Sequence, residues 1–216
     1  MPVRHVVLAG EGIDSIAYRY GFFPDTIWAA SENAALRRER LDRNILQEGD
    51  VVIIPDKGRK AMRVATGKCH VFRRRGVPAV FRVRLLKRGV PRANVDCVLV
   101  TGDVRLAGRT NSDGVLELYV PPDSIDGALT IGDEAPIPIG FGQLDPVTSI
   151  RGVQQRLGNL GFTCRNTGGE LDESTMDALR RFQASVEIEE SGLPDDATRD
   201  ALVRLHDTLR GGSPTP

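Results

Sequence analysis

Three kinds of hydrophobic spacing follow one another along this chain. A short apolar run, His5-Val-Val-Leu, stops at Gly10-Glu11-Gly12, after which Ile13, Ile16, Ala17 and Tyr20 recur at helical spacing as far as Gly21. Pro24 opens a second helical stretch that carries Ile27, Trp28, Ala35 and Leu36 and runs on through Arg37-Arg38-Glu39-Arg40; proline is well tolerated in a first helical turn. Gln47-Glu48-Gly49-Asp50 reads as a turn, and Val51 to Ile54 as a strand that Pro55 ends. The pattern predicts strand, helix, helix, strand over residues 1–56.

Residues 57–68 are basic and poorly patterned, as a linker would be. Beyond them the period becomes two: Phe81, Val83 and Leu85 share one face of a strand and Arg82 and Arg84 the other. Further short strands are predicted at 95–100, 104–108, 116–120 and 128–131. Between them stand Gly102-Asp103, Asn111-Ser112-Asp113-Gly114 and Pro121-Pro122. Short strands with such turns predict a small β-sandwich over residues 69–140.

From residue 151 the helical period returns with Val153, Leu157 and Leu160, ended by Gly161. Asp172-Glu-Ser-Thr175-Met-Asp177-Ala178-Leu179 then recurs as Asp195-Asp-Ala-Thr198-Arg-Asp200-Ala201-Leu202. Asp172 and Asp195 suit the N-cap of a helix. The inner faces would be Met176, Leu179 and Phe182, then Ala201, Leu202, Leu205 and Leu209. A three-helix unit is expected over 146–210, with a disordered tail at 211–216. The fold class is therefore multidomain α+β.

Formal charge sums to zero, but unevenly. Residues 1–56 carry 6 basic and 9 acidic side chains, residues 57–110 carry 15 and 2, and residues 111–216 carry 8 and 18. The basic stretch between Asp56 and Asp96 either attracts an acidic surface or decorates solvated strands. Cys69, Cys97 and Cys164 make an odd count, and the N-terminus lacks a basic stretch followed by an apolar run of about 7–15 residues. No stretch reaches membrane-spanning length. The expectation is cytoplasmic synthesis without a Sec signal, free thiols, and action at, or delivery to, the cell envelope.

Residues 4–56 resemble the LysM module through His5, Val7, Gly10, Ile13, Ile16, Ala17, Tyr20, Gly21, Gly49, Asp50, Ile53, Ile54 and Pro55. Glu11 stands where that family has Asp, and Gly12 where it has Thr or Ser, a hydroxyl that could cap the first helix or meet a ligand. The middle segment, with Gly89-Val-Pro91, Gly108 to Gly114 and Val120-Pro121, looks like a prealbumin-like β-module whose usual job is spacing. The last segment is similar to the three-helix peptidoglycan-binding-like domain. The likeness rests on Val153, Gln154, Leu157, Leu160, Gly161, Phe162, Gly169, Thr175, Ala178, Leu179, Phe182, Gln183, Gly192, Asp195 and Thr198. Gly168 replaces that family's Asp, and Asp172 its Gly, at a position expected to be left-handed.

These resemblances imply a non-catalytic binder of peptidoglycan or another N-acetylglucosamine-containing glycan. In LysM modules the glycan lies between the first turn and the loop before the last strand. By position these are Gly10, Glu11, Gly12, Ile13 and Asp14, with Asn44, Ile45, Leu46, Gln47, Glu48 and Gly49. A second candidate site is the loop Gly168, Gly169, Glu170, Leu171 and Asp172. The three-part order also looks like that of proteins accompanying phage-tail-like contractile injection and type VI secretion machines, a resemblance that makes spike or baseplate proteins an alternative partner class.

Little enzymatic chemistry is legible. A zinc hydrolase needs two or three His with carboxylates on one metal, and His5, His70 and His206 fall in different modules. Cys69-His70 places a thiol beside an imidazole, but neighbours on a strand face opposite ways. The acids of the last segment suit capping better than a glycosidase pair about 5 to 10 Å apart across a cleft. Gly10-Glu-Gly12 lacks the third Gly and the Lys of a phosphate loop. No cofactor, no metal and no nucleic acid is expected.

Overall fold

The computed structural model describes residues 2–40, 42–58, 63–70 and 79–208. Three hydrophobic clusters succeed one another along it, one for each change of period seen in the sequence. The first joins Val7, Ile13, Ile16, Ile27, Leu46, Val52 and Ile54, among others. The second is built around Leu99, Leu116, Leu118 and Leu129. The third gathers Val153, Leu157, Leu179, Phe182 and Leu202.

In the first module β1 (Val3–Val6) pairs antiparallel with β2 (Val51–Ile54), His5 opposite Val52. Helix α1 (Ile13–Tyr20) ends where Gly21 takes a left-handed φ of 72°. The second helical stretch is not one helix. It divides into α2 (Pro24–Trp28), a 3₁₀ turn (Ser31–Asn33) and α3 (Ala34–Glu39). Asn33 is the physical reason. Its buried amide donates to the carbonyls of Ile27 and Ile53 and accepts the Ile53 N–H, all at 2.8 Å, which ties the broken segment to β2. Arg37 closes the gap by donating to the Trp28 and Ala30 carbonyls.

The middle module has β3 (Ala79–Arg84), β4 (Leu86–Lys87), β5 (Val90–Pro91), β6 (Asp96–Thr101), β7 (Val104–Arg109), β8 (Val115–Val120), β9 (Asp126–Ile131) and β10 (Ile137–Gly140). Strands β10-β9-β6-β7 form one sheet, β3-β8 a second, and β4-β5 a small hairpin. The hairpin and β10 add to the predicted strands; β10, as Ile-Pro-Ile-Gly, lacks the alternation by which an edge strand is read. Phe81 and Phe141 meet edge to face across the cluster, ring centres 5.4 Å apart. Two arginines of the basic stretch pair with acids from later in the chain, Arg82 with Glu117 and Arg92 with Glu134, the latter at 2.8 Å. Cys69 and His70 are not in a strand; the segment is irregular, and His70 Nε2 donates to the Ala65 carbonyl at 2.8 Å.

The third module contains α4 (Ile150–Asn159), α5 (Glu173–Ser185) and α6 (Asp196–Leu202), the last continuing as a π turn (Val203–Asp207). Both expected N-caps form: Asp172 accepts the Thr175 N–H and Asp195 the Thr198 N–H, each at 2.8 Å. Asp172 is not left-handed. Its φ of −86° and ψ of 173° are extended, as an N-cap requires. Leu205 is 43% exposed rather than inward, because the wider π turn rotates the residues after Leu202 off the apolar stripe. Met176 is only half-buried. Leu209, the tail 211–216, residues 59–62 of the linker and residues 71–78 of the middle module lie outside the described residues.

Candidate functional site

The structure brings the two stretches of the first candidate site together. Ile13 N–H donates to the Arg43 carbonyl at 3.0 Å, and the Asp14 N–H to Asn44 Oδ1 at 3.1 Å. Asn44 Nδ2 returns a bond to Asp14 Oδ2 at 2.9 Å, and Arg43 Nε sits 3.0 Å from Asp14 Oδ1. Asn44 thus satisfies an N-terminal N–H of α1 from across the module, which is the service a Thr or Ser at position 12 would have rendered. Gly12 is needed for that approach: a Cβ there would come within 2.8 Å of Asn44 Oδ1 and 2.9 Å of its Cα.

Several of these residues face inward. Ile13 and Leu46 are core residues, and Glu11 is 9% exposed. His5 Nε2 donates to Glu11 Oε2 at 2.7 Å, while His5 Nδ1 lies 3.2 Å from the Tyr20 hydroxyl. Glu11 also accepts the Leu8 N–H at 3.0 Å and pairs with Arg19 at 2.7 Å. Burial alone would raise the Glu11 pKa; the Leu8 N–H, His5 and Arg19 outweigh it and hold the carboxyl below its ordinary range. These side chains shape the turn from within. Of the eleven positions, Gln47, Glu48 and Gly49 are the ones well exposed.

Two clefts flank that turn. One, of about 360 Å³, lies between the Leu8–Glu11 turn with Tyr18 of α1 and the Asp123–Ile125 loop of the middle module. The other, of about 340 Å³, lies between the same turn with Glu48 and the connector at Gln143 and Asp145, with Arg151 of α4. The turn and connector touch at their backbones. Gly142 has a φ of 65°, and a Cβ on it would fall 2.3 Å from the Gly10 carbonyl oxygen. A third cavity, of about 220 Å³, separates α3 and Ile45 from Val147, Val203 and Asp207.

In the third module the candidate loop is pinned from below by one buried amide. Gln154 Oε1 accepts the Gly169 N–H at 2.9 Å, and its Nε2 donates to the Glu170 carbonyl at 2.8 Å and to Thr175 Oγ1 at 2.9 Å. The next helix repeats the device. Gln183 Oε1 accepts the Gly192 N–H at 2.8 Å, and its Nε2 donates to the Leu193 carbonyl at 3.0 Å and to Thr198 Oγ1 at 2.9 Å. The two sets correspond: a helical Gln holds the glycine of the following loop, the next carbonyl, and the capped Thr that starts the next helix. Residues 147–202 match the family model of a peptidoglycan binding domain. In the matched segment the Gln and Thr residues are buried scaffold that, with Gly169 and Gly192, fixes two loops, leaving Gly168, Glu170 and Leu171 exposed on the first. No curated protein and no solved structure matches the chain.

The matched segment also holds a buried charge that sequence reading passed over. Arg156, 1% exposed, gives Asp207 bonds of 2.9 to 3.2 Å and donates to the carbonyls of Asp145 and Gly152. His206 Nδ1 meets the other side of Asp207 at 2.7 Å. Burial works against this carboxylate, but His206 and Arg156 bring its pKa below the ordinary value. An Arg within an otherwise apolar helical stripe was the available signal; its partner, 51 residues later, left none. Cys97 and Cys164 are buried, and burial pushes both thiols up, away from the reactive thiolate. Among the described residues no three His, Cys, Asp or Glu side chains converge as metal ligands would, and no helix is long and apolar enough to cross a membrane.

Proposed function

We propose that the chain is a non-catalytic binder of cell-wall peptidoglycan, with the LysM-like first module and the third module supplying the contacts and the β-module setting their separation. The match of residues 147–202 to the peptidoglycan binding domain family carries this reading. The doubled Gln clamp supports it, because it presents two loops with backbones already held, and an ordered loop loses less entropy on binding.

Co-sedimentation of the full chain with purified sacculi tests the reading, at low salt and again near 1 M, where exposed charge attraction is largely screened. Salt-resistant pelleting is expected. A protein that stays in the supernatant at both salt levels defeats the wall-binding reading. It would then favour an adaptor in an injection apparatus that binds spike or baseplate proteins, a role that the order of the three modules also suits.

A further inference from the structure

The two sheets of the middle module turn unlike faces outward. In β3 and β8 the outward positions carry Arg82, Arg84 and Glu117 beside Val80 and Tyr119, the polar alternation of a sheet with one wetted face. In the four-stranded sheet Cys97, Leu99, Leu129 and Ile131 are buried, and Leu106 and Ile139 pack on the same core, so the alternate positions face out. Those are Val98 and Val100 on β6, Ala107 on β7, Ala128 and Thr130 on β9, and Pro138 on β10. One hydroxyl is the polar content of that face's centre, and Val100, Ala107 and Pro138 are exposed. Charges stand only at its margins. Asp96 and Arg109, at one end, pair with each other at 3.4 Å. Arg105 stands opposite Val100 on β7, and Asp126 two residues before Ala128 on β9; neither side chain makes a hydrogen bond or ion pair among the described residues.

We infer that this face is the contact between two copies of the chain, packed sheet on sheet about a two-fold axis that runs along β6. Such an axis lays β7 of each copy over β9 of the other, because those strands flank β6 on opposite sides. Arg105 of one copy then falls one side-chain step, about 7 Å along the strand, from Asp126 of the other, within an arginine's reach, and symmetry forms the pair twice. Short side chains across the middle let the sheets approach closely, and the exposed valine, alanine and proline lose water on contact. A second copy suits the face better than a strongly acidic or basic partner, since it offers one free charge of each sign on opposite sides of an apolar centre. Four strands about 4.8 Å apart, each about five residues long, give a footprint of roughly 300 Å² per copy, under half the ~800 Å² of a standard interface. The dimer is therefore weak and reversible, with a dissociation constant on the order of 100 μM. It doubles the binding modules on one particle wherever copies are crowded, whether those modules hold glycan or protein.

Sedimentation velocity of the full chain at low salt, from about 5 to about 500 μM, tests this across the expected dissociation constant. The mass should rise reversibly from monomer to dimer. Ala107→Glu, which sets an unpaired carboxylate in the middle of the contact, should weaken dimerisation at least tenfold, with thermal melting unchanged because the position is exposed. Arg105→Asp and Asp126→Arg should each weaken it about tenfold, since either reversal sets like charges together twice, and the double variant should return to within about threefold of the parent. A parent that stays monomeric over the whole range overturns the inference. A dimer that Ala107→Glu leaves intact is joined through another surface, a strand edge for instance, and overturns it as well. A double variant no tighter than the two single ones overturns the two-fold arrangement along β6, and the inference with it.

Discussion

The first and third modules solve the same problem differently. Each must hold irregular backbone with side-chain amides, because a loop's backbone groups need partners when the core below is apolar. The third module does it twice with one residue set, Gln154, Gly169 and Thr175, then Gln183, Gly192 and Thr198. The first module does it once each with Asn33, whose partner strand is 20 residues away, and Asn44, whose partner turn is 30 away. A repeated device leaves a pattern in sequence. Single contacts at unrelated separations leave none.

The largest expected effect separates the third module's charge from its amides. Arg156→Ala leaves Asp207 without its main partner, and breaking a buried pair costs on the order of 3 kcal/mol or more; urea unfolding should show that loss, and an unchanged midpoint would mean that the pair is solvated. Gln183→Ala strands the Gly192 N–H and Thr198 Oγ1 and should cost about 2–3 kcal/mol. Gln154→Ala should cost slightly less, since Gln183 also donates to Ser191. Equal, small effects at both would dissolve the clamp as an explanation of the repeat.

For the first module, Gly12→Ser adds a hydroxyl able to cap α1 yet should destabilise by about 1–3 kcal/mol, because the added atoms overlap Asn44. Stabilisation instead would show that the turn is free to open and that Asn44 is dispensable as a cap. Asp195→Ala should cost about 1 kcal/mol as a lost N-cap. The smallest effect is the pH dependence. Asp207 in the third module and Glu11 and Asp50 in the first have folded pKa values below their ordinary ones. Their contribution is full above about pH 4, the ordinary carboxylate range, and is lost as pH falls through the depressed folded values. Urea midpoints measured from pH 6 down to 2 should fall below about pH 4. Asp207→Asn should flatten only the third module's share.

Much of this was legible from residue spacing. Strand β2 and the N-caps at Asp172 and Asp195 stand where the periodicity put them. The second helix did not, since Asn33 reads as an ordinary helical residue until Ile53 is beside it. Leu205 kept the apolar spacing of α6, yet the π turn carried it to the surface. At the candidate site the positions were brought together, but Glu11, Ile13 and Leu46 face the interior. Spacing tells which residues neighbour one another, not which way a turn rolls.

By itself the sequence determined what is local and periodic: the order of elements, the separate apolar cores and the residues that make the third segment similar to a peptidoglycan binding domain. Only the tertiary structure decided what depends on distant partners. Two arginines of the basic stretch find acids far along the chain, as Arg82 meets Glu117 and Arg92 meets Glu134. Gly12 is made necessary by Asn44, and Arg156 is made tolerable by Asp207. Local propensity needs only a residue and its near neighbours, whereas charge neutralisation and close packing act across space and are set only when the folded chain brings the partners within a few ångströms.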